Sequence, residues 1–151
     1  MDTAIQNGGE TPQERLAEGY ALLDDILQSP GITIGILTLV ADDDVYDCDE
    51  GTEDARLILD KRDLGGKNKK RASDAAYSLA AQLLAAIAND TAGAGVCTEA
   101  GQAIIDGQNL LVNIGFDGTG AFLRPKDDEY HDALDLASTL DSYNNGTLCV
   151  P

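Results

Sequence analysis

The stretch Ala75-Ala76-Tyr77-Ser78-Leu79-Ala80-Ala81-Gln82-Leu83-Leu84-Ala85-Ala86-Ile87-Ala88 limits the fold more than any other feature of the chain. Alanine and leucine favour helix, and Leu79, Leu83, Leu84 and Ile87 fall on one helical stripe. A helix is predicted from about Ser73 to Asn89, with Ser73 as cap and Asp74 in the positive first turn, broken by Gly93 and Gly95. The alanines between the leucines allow a second helix to approach closely. With no tryptophan, two phenylalanines and five tyrosines, the core must be built from Ala, Leu and Ile, which suits packed helices better than sheets. The fold class expected is therefore mainly α: a small bundle of antiparallel helices with at most a short β segment at residues 32–40.

The rest of the chain fits one domain over residues 11–151, preceded by a polar arm at residues 1–10. Thr11-Pro12-Gln13-Glu14 carries a capping box and a proline suited to the first helical position. Leu16, Tyr20, Leu23 and Leu27 follow on one face, and Ser29-Pro30-Gly31 stops that helix. A short helix is expected over 53–64, with Leu57 and Ile58 inward and Gly65-Gly66 at its end. Another runs from Thr98 to about Asn113, burying Ile104, Leu111 and Ile114 or their neighbours. Gly115 to Gly120 reads as a turn-rich connector. The last helix spans about Asp127 to Asn144, with Tyr130, Leu134, Ala137, Leu140 and Tyr143 in register and Asn145-Gly146 as its stop.

Ile32 to Val40 is the only β-like run, and a lone strand cannot stabilise itself. Either it inserts into a neighbouring copy through Ile32, Ile34, Ile36, Leu37, Leu39 and Val40, or it packs on its own helices. Insertion would make the partner a protein, including copies of the chain itself.

A net charge of −17 sets the chain against nucleic acid, because a phosphate backbone would be repelled. No stretch approaches the roughly 20 apolar residues of a membrane span. The first residues lack a signal-peptide pattern, which by itself points to the cytosol; a mature or excised fragment is the alternative, and the cysteines bear on that choice. Cys97 lies just before one predicted helix and Cys149 just after the next. In an antiparallel hairpin their sulfurs would meet at its open end, and a disulfide there would contribute about 4 kcal/mol. The competing reading is three reduced, buried thiols in a cytosolic protein. Cys48 would be the odd cysteine, and neighbouring carboxylates disfavour its thiolate.

The acidic segment 42–54 offers Asp42, Asp44, Asp47, Asp49 and Glu53 as oxygen ligands for calcium. Asp42, Asp44 and Glu53 fit the first, third and twelfth positions of an EF-hand loop, but Asp47 stands where the turn glycine belongs. A solvated acidic loop is the simpler reading, and no other cofactor is expected. Six of the ten basic residues cluster as Lys61, Arg62, Lys67, Lys69, Lys70 and Arg71. They could meet phosphate, but no Walker or dinucleotide glycine pattern accompanies them, so pairing with the acidic loop of the same or an adjacent molecule is expected instead. His131 is the single histidine, and no catalytic triad or multi-histidine metal pattern is present, so an enzyme is not expected. Asn89-Asp90-Thr91 and Asn145-Gly146-Thr147 are glycosylation sequons.

The segments Ile58-Leu59-Asp60-Lys61-Arg62-Asp63-Leu64, Lys69 through Ala86, and Leu140-Asp141-Ser142-Tyr143-Asn144-Asn145-Gly146-Thr147-Leu148-Cys149 resemble an uncharacterised module found near the ends of large secreted or surface proteins of environmental bacteria. The resemblance covers residues 45–149 and carries no activity. It implies an extracellular or cell-surface location and a structural or adhesive setting. The function expected is a non-enzymatic structural or assembly module of a surface protein or filament; a calcium- or carbohydrate-related binding module is the alternative, and a cytosolic acidic regulator comes third.

Overall fold

The computed structural model describes residues 26–28, 31–40 and 50–149, with side chains of the last segment from residue 53 onward. It is mainly helical, with a small antiparallel sheet. In chain order the described elements are β1 (Ile32–Ile34), β2 (Leu37–Leu39), α1 (Glu50–Leu59), α2 (Ala75–Thr91), α3 (Thr98–Asn113) and α4 (Glu129–Asn144).

Helix α2 is the centre of the bundle, because its small and aliphatic residues leave no polar face. Twelve of its seventeen residues are buried, Leu79, Leu83 and Leu84 among them. It packs against α1, α3, α4 and β1. Its cap is Asp74, whose carboxylate accepts from the Ala76 amide at 3.0 Å, rather than the expected Ser73, which is exposed. Helix α3 runs antiparallel to α2 and α4. Midway along it Gly107 leaves room for α2: a Cβ there would meet Leu79 Cδ1 at 3.2 Å.

The four named helices among the described residues all end in the same pair of backbone bonds, the Schellman arrangement. In α1 these run from Lys61 N to Ile58 O and from Arg62 N to Leu57 O, both 2.9 Å. Three of the helices place glycine (Gly93, Gly115, Gly146) at the left-handed position, as the sequence suggested; α1 places Lys61 there, with φ 58°. The predicted end at Gly65-Gly66 is therefore corrected: α1 stops at Leu59, because a non-glycine residue adopts the left-handed turn.

The segment 32–40 also needs correction. It is a hairpin, not a lone strand: Ile32 pairs with Leu39, Thr33 with Thr38 and Ile34 with Leu37. The two-residue turn is Gly35-Ile36, with positive φ (63°) at Gly35 alone, the pattern of a type II′ turn. A Cβ at position 35 would lie 2.7 Å from Phe116 O, so the docked turn also requires glycine for space. Ile32, Ile34 and Leu39 are buried in the chain's own core, and Leu37 packs against it. Four of the six residues expected to insert into a neighbouring copy are thus covered by the chain's own core, and each strand has its pairing partner within the hairpin. Ile36 and Val40 alone of the set are exposed. Gln108 of α3 ties the hairpin down, accepting from Gly35 N at 2.8 Å and donating to Thr33 O.

The connector between α3 and α4 crosses the N-terminal end of α2. There Tyr77, Phe116 and Phe122, which include both phenylalanines of the chain, form one aromatic cluster. Tyr77 and Phe116 meet edge to face at 5.1 Å. Such pairs contribute about 1 kcal/mol beyond their buried area.

Candidate functional site

Two buried carboxylates organise the N-terminal end of α2. Asp74 follows the loop after α1, and besides capping α2 it accepts from Phe122 N at 2.7 Å and Leu123 N at 3.0 Å. Asp63 lies in that loop and accepts from Gly65 N (2.7 Å), Gly120 N (2.8 Å) and the Arg71 guanidinium (Nη2, 2.9 Å). Burial alone would push the Asp63 carboxyl up, but the Gly65 and Gly120 amides and then Arg71 outweigh it and hold it below the ordinary carboxylate range. Tyr77 completes the platform by donating to Gly120 O at 2.7 Å; burial, then the charge of Asp63, pushes its phenol well up, so it stays a donor.

The basic cluster is laid out on this platform. An isolated bridge between Arg62 and Lys70 folds the loop back on itself. Lys70 Nζ pairs with Asp60 at 2.9 Å, Arg62 shares the same carboxylate, and Arg71 pairs with Asp63. The Lys70 and Arg62 hydrogen bonds hold the exposed Asp60 carboxyl below its usual range. Among the described residues the acids that meet the cluster lie inside the loop itself, at positions 60 and 63; the acidic segment expected to supply them lies mostly outside the described residues. Because Asp63 and Asp74 bind the connector, Arg124 and Lys126 join this end, where eight of the ten basic residues now sit. A cleft of about 450 Å³ opens between the two stretches, lined by Lys69, Lys70, Arg71 and Ser73 on one side and by Leu123, Arg124, Pro125 and Tyr130 on the other.

The opposite end of the bundle is closed covalently. The sulfurs of Cys97 and Cys149 lie at disulfide distance, 2.06 Å, with their Cα atoms 5.4 Å apart. Tyr143 donates to Gly95 O at 2.7 Å, and burial, then the charge of Asp90, raises its phenol. Asn144, buried, accepts from Asn89 Nδ2 at 3.0 Å and donates to Gln82 O at 3.0 Å and Gln82 Oε1 at 2.8 Å. The side-chain nitrogen of the first sequon is therefore buried and engaged, whereas Asn145 of the second is exposed.

The calcium set is only partly in view. Asp42, Asp44, Asp47 and Asp49 lie outside the described residues, as does Cys48. Glu53 is bound on both oxygens by Arg56, at 2.6 and 3.1 Å. Among the described residues no group of three or more His, Cys, Asp or Glu side chains is placed to hold a metal ion. No helix among them is long and apolar enough to cross a membrane.

Asp63, Tyr77 and Arg124 were not recognised from the sequence as parts of a site. Asp63 sits among cations like any surface acid, and its burial arises only when residue 120 meets residue 63. The Tyr77 hydroxyl was hidden in an apolar run, although a buried tyrosine in a helix calls for a partner.

No known protein family, curated protein or solved structure matches the chain.

Proposed function

We propose that the protein is a non-enzymatic module of an extracellular or cell-surface protein, acting in structure or assembly. The observation that carries this reading is the Cys97–Cys149 pair, which closes a covalent ring around α3, the connector and α4. Disulfides persist in oxidising compartments and are rare in the cytosol. The deepest polar groups support the same reading, because they are spent on the fold. The oxygens of Asp63 and Asp74 take up backbone amides and a guanidinium, and Asn144 bridges Asn89 and Gln82. These groups hold loops in place, and among the described residues the buried carboxylates, Asp63 and Asp74, are both engaged in this way. The resemblance over residues 45–149 points to the same surface setting.

The test is made in the organism that produces the protein. Intact cells are treated with a thiol reagent that does not cross membranes and with external protease, and the chain is then mapped by mass spectrometry. Cys97 and Cys149 should be recovered as one crosslinked peptide pair, and the chain should be cleaved from outside. Recovery as free thiols in a protease-protected pool would overturn the proposal.

A further inference from the structure

We propose that the cleft between residues 69–73 and 123–130 is a binding site for a compact organic anion of sugar size, a sugar acid or sugar phosphate. The inference does not depend on where the protein resides.

The chain carries 27 acidic and 10 basic residues, so a random surface patch would be negative. This cleft is lined instead by four cations, Lys69, Lys70, Arg71 and Arg124, against one carboxylate, Asp74. Asp74 is turned away from any ligand, since its oxygens take up the amides of Ala76, Phe122 and Leu123. Lys70 and Arg71 are balanced by Asp60 and Asp63. Among the described residues no ion pair is formed by Lys69 or Arg124, and both are exposed. Two cations that form no side-chain ion pair among the described residues therefore line one opening from segments about fifty residues apart in sequence, the carboxylate of Asp127 accepting from the Arg124 amide at 2.7 Å.

The size and walls of the cleft narrow the ligand. Its volume of about 450 Å³ lies in the range of small-molecule sites and far exceeds an inorganic anion. Pro125 and the half-buried ring of Tyr130 supply apolar wall for a ring body, and Ser73 adds a hydroxyl. At the N-terminus of α2 the Ala76 amide is taken by Asp74 and the Ala75 amide by Leu123 O. A long polyanion would extend beyond this end and meet the field of a molecule at −17. A compact anion is shielded from the remote carboxylates, because salt screens exposed charges beyond about 10 Å at 0.1 M.

The experiment is an amide-resolved NMR titration of the disulfide-intact full chain with glucuronate, glucose 6-phosphate, inorganic phosphate, glucose and a short Asp/Glu peptide. The two anionic sugars should shift the amides of Lys69, Ser73, Arg124 and Tyr130 saturably, more tightly than phosphate, and glucose should not. The double variant K69Q/R124Q breaks no ion pair among the described residues and should weaken binding about tenfold. K61Q/K67Q, which removes the same charge outside the cleft, should change it less than about twofold. Equal weakening by both variants would reduce the effect to net charge and overturn the site. So would binding of glucose as tight as glucuronate, or no saturable shift with either anionic sugar. Phosphate binding as tightly as glucose 6-phosphate would remove the sugar body from the assignment, and preference for the peptide would replace it with an acidic protein partner.

Discussion

At the C-terminal end of α2, Cys97 and Cys149 join two segments covalently, whereas at its N-terminal end Asp63 and Asp74 hold the connector by hydrogen bonds alone. Each end also has a tyrosine that donates to a loop carbonyl at 2.7 Å, Tyr143 to Gly95 and Tyr77 to Gly120. The neutral hydrogen bonds are alike; the clamps differ in the state on which they act. A crosslink acts chiefly by restricting the unfolded chain, so it responds to reductant and not to acid. A buried carboxylate acts in the folded state, where its donors would otherwise be orphaned, so it responds to substitution and, at Asp63, to pH. One end is therefore robust but redox-dependent. The other assembles the cleft and is exposed to acid.

The largest effect should come from the covalent clamp. C97S/C149S opens a link between positions 52 residues apart, and urea unfolding at neutral pH should show a loss of about 4 kcal/mol with native helix content retained. A loss below about 1 kcal/mol would mean that the Asn144 cluster and Tyr143 close this end by themselves.

Next comes Asp74. Asp74→Ala removes the α2 cap and leaves the Phe122 and Leu123 amides without their acceptor, for an expected cost of about 3 kcal/mol. Asp74→Asn keeps one acceptor oxygen and should cost about half as much. If both variants unfold within about 0.5 kcal/mol of the parent, the aromatic cluster and not the carboxylate holds the connector.

The smallest effect is confined to acid. Because the Asp63 carboxyl is held below its unfolded value, its contribution is present above about pH 4 and is lost as pH falls through the lowered pKa. Stability measured from pH 5 down to pH 2 should decline, and Asp63→Asn should start lower at neutral pH and decline less steeply. A variant with an unchanged acid slope would shift the titrating group elsewhere.

Much of the bundle was legible because helix information is local. The Ala/Leu run named α2, Thr98 to Asn113 named α3, and Asn145-Gly146 named the end of α4. The hairpin was missed although its turn, Gly35-Ile36, was in plain sight. The nine residues from Ile32 to Val40 read as one strand, although the apolar alternation slips by one position at Ile36-Leu37, where the chain reverses. The end of α1 was missed because Lys61 takes a backbone conformation for which lysine carries no signal.

What the sequence determined by itself is therefore the helical class, three of the four helix stops and the narrow choice of core residues, all consequences of periodicity and backbone preference within a few positions. Which charges are buried, which cations meet a carboxylate and which loops share a cleft were decided by the tertiary structure alone. Those properties depend on residues 63 and 120, 74 and 123, or 69 and 124 being brought together, and electrostatics and solvation act through space, not along the chain.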